Sequence, residues 1–162
     1  MRNRGFTLIE LLVVLVIVGL LVAMAALTIG DNRGAQLDRE ARRLHQVIRL
    51  AGEEAILKSQ IIGIRFEHDG YRFSLFAGAD DWQPIEHDRF LRPHTLPENM
   101  RLDLVLEGLA DAGAQQRDQP QVLLLTSGEM IPFELTVSHL ELPHYYLIEG
   151  HLDGRLEFHP PD

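Results

Sequence analysis

From Leu11 to Ile29 the chain carries no charged side chain, and only Gly19 and Thr28 interrupt the apolar run. At about 1.5 Å per residue these positions reach about 28 Å, against a bilayer hydrocarbon core of about 30 Å. The run predicts a transmembrane helix over 6–29. Arg2 and Arg4 precede it, which sets that end in the cytoplasm by the positive-inside rule and the carboxyl-terminal domain on the far side. A secretory signal peptide cut after Ala23-Met24-Ala25 and a plain single-pass anchor are the other readings of the run. Both leave Glu10 unexplained.

Glu10 lies inside the apolar stretch, one helical turn after Phe6. A carboxylate in a membrane helix costs about 2.5–3.5 kcal/mol at the centre, and such a residue needs a partner. A cut between Gly5 and Phe6 would supply one. The new α-amine on Phe6 would have a pKa of about 7.7–8.0 and be largely cationic at neutral pH. The pair at i,i+4 can form within one chain, or Glu10 can take the amine of an adjacent helix in a packed array.

The segment Arg4-Gly5-Phe6-Thr7-Leu8-Ile9-Glu10, followed by Leu11-Leu12-Val13-Val14, resembles the signature of type IV pilins and pseudopilins. The resemblance implies that a prepilin peptidase cuts after Gly5 and methylates the amino group of Phe6. It also implies that Glu10 serves assembly. The domain organisation expected is a leader peptide at 1–5, a transmembrane helix at 6–29, an amphipathic continuation at 30–58 and a β-rich globular domain at 59–162. The localisation implied is the bacterial inner membrane, single-pass, with a cytoplasmic amino terminus and a periplasmic carboxyl-terminal domain.

Beyond the apolar run, Gly30-Asp31-Asn32-Arg33-Gly34 marks a loosening of the helix. Leu37, Ala41, Leu44, Ile48, Ala51 and Ala55 then recur at spacings of three and four, one apolar helix face widened by Val47 and Ile56. From Ile62 the pattern alternates. Ile62, Ile64 and Phe66 face one side, and Asp69-Gly70 turns the chain into Tyr71, Phe73 and Leu75. Further strands are expected at Leu102–Leu106, Val122–Leu125, Ile131–Val137, Tyr145–Glu149 and Arg155–Phe158, with turns at Ser127-Gly128 and Asp153-Gly154. The stretch 107–121 reads as a loop. The fold class expected is therefore α+β and pilin-like, a long amino-terminal helix packed on an antiparallel sheet or β-sandwich.

Ser59-Gln60-Ile61-Ile62-Gly63-Ile64, the hairpin, Trp82, Leu96-Pro97, Ser127-Gly128-Glu129 and Gly154-Arg155-Leu156 stand at places similar to those of the H-class minor pseudopilins of type II secretion. That resemblance implies a structural subunit of the pseudopilus, a short filament serving protein export across the outer membrane. Its partners would be the major pseudopilin, other minor pseudopilins, the prepilin peptidase and the inner membrane. Retention of Glu10 implies a place below the extreme tip. The alternative is a minor pilin of a type IV pilus, used in motility or DNA uptake.

Other chemistry finds little support. Net charge is −9, and loss of Arg2 and Arg4 would leave 13 basic against 24 acidic residues, or −11; this disfavours nucleic-acid binding. Cysteine is absent, which excludes disulfides and thiolate sites. Among the eight histidines, His139 and His144 are five apart and His151 and His159 bracket a turn, but none has a metal-ligand pattern. Asp80-Asp81 and Asp88 lack EF-hand spacing, and Trp82 reads as a core or hinge residue. No nucleophile elbow or phosphate loop appears. No catalytic residue, cofactor, metal or small-molecule substrate is expected.

Overall fold

The computed structural model describes residues 8–30, 32–79, 81–106 and 119–161, with side chains of 24–30 excepted. The chain divides into two compact units, Met1–Gln36 and Leu37–Asp162. The first contains α1 (Leu8–Gly30) and the start of α2 (Asn32–Lys58). From Leu8 to Val22 the large apolar side chains of α1 are exposed on every side, from 49% for Val13 to 86% for Leu8.

Among the described residues no helix is long and apolar enough to cross a membrane. This corrects the expected transmembrane half of the helix over 6–29 and, with it, the expected single-pass placement at the inner membrane. Glu10 occupies the first turn of α1.

In the second unit, α2 buries Leu37, Ala41, Leu44, Val47, Ile48, Ala51 and Ala55. Burying a face this wide supplies far more stabilisation than helix propensity does. Ile56, expected to widen the stripe, is 50% exposed. Ser59 ends the helix with a φ of 52°, and the Gln60 N–H donates to the Ala55 carbonyl at 3.0 Å.

Two antiparallel sheets meet the helix. One runs β3 (Asp81–Pro84), β2 (Gly70–Gly78), β1 (Ile62–Glu67), β6 (Val122–Leu124), with the two-residue β4 (His94–Thr95) also paired to β2. The other runs β5 (Met100–Leu106), β7 (Phe133–His139), β8 (Tyr145–Gly150), β9 (Leu156–His159). The alternation expected at 62–67 holds, with Ile62, Ile64 and Phe66 buried. Phe66 and Phe133 join the sheets, ring centroids 6.1 Å apart, in one core with Phe73, Leu91, Leu135 and Ile148.

The structure shifts several expected boundaries. β7 begins at Phe133 rather than Ile131, because the Ile131 N–H donates sideways to the Leu123 carbonyl at 3.1 Å and Pro132 has no N–H to give a ladder. The β1–β2 register pairs Glu67 with Gly70, so the hairpin loop is His68-Asp69. Gly70 is required for another reason: a Cβ there would collide with the His94 carbonyl oxygen of β4. Strands β3 and β4 were not foreseen. Of the 107–121 loop, 107–118 lie outside the described residues.

Candidate functional site

Gly5 and Phe6, the expected cleavage and methylation positions, lie outside the described residues. Glu10 is described. It is exposed in the first turn of α1, where a carboxylate complements the helix dipole, and no ion pair among the described residues engages it. Around it stand Leu8, Ile9, Leu11, Leu12 and Val13, all about half exposed or more. A helix apolar on all sides requires another apolar surface to cover it, since exposed patches of this extent are binding surfaces in folded proteins.

The surface of the globular unit offers three further features. The first is a polar clamp between α2 and the paired β2 and β4. The His94 Nε2 lies 2.9 Å from Glu40 Oε2, and the Arg43 guanidinium donates to the Tyr71 hydroxyl at 3.1 Å. Burial pushes the Tyr71 hydroxyl up to about 12, opposed by the positive charge of Arg43. On the facing side of α2, the Tyr146 hydroxyl donates to Asp38 at 3.0 Å, and the Arg42 guanidinium lies 5.3 Å from the Phe158 ring centroid. These contacts fix α2 from Leu37 onward against both sheets.

The second feature is a cavity of about 260 Å³ lined by Ile48, Gly52 and Ile56 of α2, by Met130, and by the turns carrying Gly128 and Gly154. The third is a cluster on the β8–β9 pair. Glu149, Glu157 and His159 place one donor atom each within 4.8 Å of the others.

The remaining sequence candidates separate. Buried His139 accepts the Glu141 N–H on Nδ1 at 3.1 Å and closes a turn, whereas His144 lines a different surface with Glu149 and His159. Asp88 accepts the N–H groups of Phe90 and Leu91 at 2.7 and 2.9 Å, which hold its carboxyl below the usual range. It therefore caps a turn. Asp81 is exposed in β3, and Asp80 is outside the described residues. Trp82 packs 5.2 Å from Phe76, and its ring occupies the space that a side chain on Gly63 would need.

Residues 1–26 match the prokaryotic N-terminal methylation motif, and residues 40–153 match the family described as type II transport protein GspH. The chain belongs to the GspH family. It is similar to type II secretion system protein H of Pseudomonas aeruginosa, 38% identical over 143 residues that cover 84% of this chain and 83% of that one. The corresponding protein of Aeromonas hydrophila is 33% identical over 158 residues, covering 90% of this chain and 86% of the relative. The crystal structure of the minor pseudopilin EpsH from the type II secretion system of Vibrio cholerae superposes with a TM-score of 0.67 at 26% identity, over 79% of this chain and 96% of that one. This GspH-family chain is a minor pseudopilin, a structural subunit of the type II secretion pseudopilus and not an enzyme. The alternative of a type IV pilus subunit gives way to it.

Proposed function

We propose that the chain is made with a leader at 1–5, that a prepilin peptidase cuts between Gly5 and Phe6, and that Phe6 becomes the N-methylated terminus. Methylation leaves the amine basic, so a cation remains one helical turn before Glu10. In the filament, Glu10 takes this amine from a neighbouring subunit. The exposed apolar flank of α1 then packs against the equivalent helices of the major pseudopilin and the other minor pseudopilins. Having both the amine and the carboxylate, the subunit can pair above and below itself, which suits a place under the extreme tip.

One observation carries this reading: an exposed glutamate without an ion-pair partner among the described residues, set in a helix whose apolar side chains are open on all sides. Glu10→Gln keeps the shape and removes the charge. Crosslinking between cysteines introduced near position 16 of this chain and of its neighbours should fall severalfold in that variant, while leader cleavage proceeds. Wild-type crosslinking and wild-type secretion in Glu10→Gln would overturn the assembly role.

A further inference from the structure

Glu149 and Glu157 stand directly opposite each other in the β8–β9 register, and His159 lies two residues further along β9 on the same side. Like charges directly opposed across a strand pair are unfavourable, so this register calls for a cation between them. One oxygen of Glu157 is already engaged: Oε1 lies 3.2 Å from Arg155 Nη1 and 3.4 Å from His151 Nε2. The other, Oε2, points the opposite way, 3.7 Å from His159 Nε2, which is itself 3.3 Å from Glu149 Oε2. Two carboxylate oxygens and one imidazole nitrogen thus converge.

The donor types, with the 3.3 Å separation of His159 and Glu149, point to a particular ion class. A tetrahedral centre with bonds of about 2.0–2.1 Å holds its donor atoms about 3.3 Å apart. Mixed nitrogen and carboxylate donors suit zinc and its neighbours, whereas calcium takes six to eight oxygens. Beside the donors opens a cavity of about 670 Å³ lined by Pro143, His144, Tyr145 and Pro161 as well as by Glu149 and His159, so a fourth ligand has room to enter. We propose that Glu149, Glu157 and His159 form a three-ligand site for a zinc-class divalent cation, with its fourth position open to this cavity. A bound ion would tie β9 to β8 and offset the repulsion between the paired glutamates.

The test uses the full chain, kept in solution by a mild detergent that covers the exposed α1. Titration calorimetry with ZnCl₂ at pH 7.5, above the ordinary imidazole range, should reveal one saturable site, and Co²⁺ should give the visible absorption of a low-coordinate ion. Zinc should also raise the Tm. Glu149→Gln, nearly isosteric, and His159→Ala should each weaken zinc binding tenfold or more and abolish the Tm shift, while His87→Ala, on an exposed loop, should change neither. Unsaturable uptake, uptake that survives both substitutions, or displacement of zinc by an equal concentration of calcium would overturn the site. Thermal unfolding of the metal-free variants, with a wild-type transition, separates loss of the site from loss of the fold.

Discussion

Gly154 is pressed against the carbonyl oxygen of Gly128, so closely that a Cβ on Gly154 would collide with it. The two residues belong to different turns. Gly128 closes the link from β6 to β7, donating its N–H to the Leu125 carbonyl at 3.0 Å, and Gly154 closes the β8–β9 hairpin, donating to His151 at 2.9 Å. Their contact brings the turns of the two sheets together beside the end of α2.

Substitution at these glycines should therefore have unequal effects. Both have a positive φ, 92° for Gly128 and 84° for Gly154, which alone costs an alanine about 1 kcal/mol. At Gly128 the new methyl would meet only the end of the Ile56 side chain at 3.4 Å, which can yield. At Gly154 it would meet backbone, adding about 1–3 kcal/mol of overpacking. Urea denaturation should show Gly154→Ala destabilised by about 2–4 kcal/mol and Gly128→Ala by about 1 kcal/mol; equal losses would mean that the turns can separate freely.

Alkaline stability should track Tyr71. Its hydroxyl is raised from 10.0 to about 12, first by burial. A group with a raised folded pKa contributes stability that is complete below the unfolded pKa and is lost as pH rises through the folded one. Stability should thus fall by about 2–3 kcal/mol between pH about 10 and 12. Tyr71→Phe should remove much of that pH slope, while leaving Arg43 without its hydroxyl acceptor near neutral pH. Unfolding curves for both proteins across this range test the assignment.

The Asp88 cap should matter out of proportion to its exposure. Its carboxylate accepts the N–H of Leu91, a residue that is fully buried. Asp88→Ala should cost about 1 kcal/mol, the usual value of such a cap, and Asp88→Asn much less. Because backbone N–H groups lower the Asp88 pKa, its contribution is present above the ordinary carboxylate range and disappears as pH falls through the lowered value. A wild-type protein with the same acid sensitivity as Asp88→Ala would contradict this role.

Processing is read by mass. The mature chain should begin at Phe6 and carry one added methyl group, and replacement of Gly5 by a bulky residue should leave the leader attached. A mature form beginning after Ala25 would instead mark an ordinary secretory signal.

The α2 stripe and the buried side of β1 were legible in the sequence because each follows a local period, 3.6 or 2, over enough residues to stand out. The Gly5, Phe6 and Glu10 signature was legible for a similar reason, since its members lie within six consecutive positions. Strands β3 and β4 were not. Four residues ending in Pro84 and two residues at His94-Thr95 carry no period, and β4 exists because Gly70 lets it come close to β2. The transmembrane half expected from the apolar run is overturned, since among the described residues no helix is long and apolar enough to cross a membrane. The Glu149, Glu157 and His159 cluster had no metal-ligand spacing to betray it. Its residues become neighbours only through the β8–β9 register, which turn geometry sets and linear order does not. Sequence alone determined which faces of α2 and β1 would be buried, since hydrophobic burial is written residue by residue. Tertiary structure decided which glycines are indispensable and which charged side chains meet, because both depend on how closely segments distant in the chain approach.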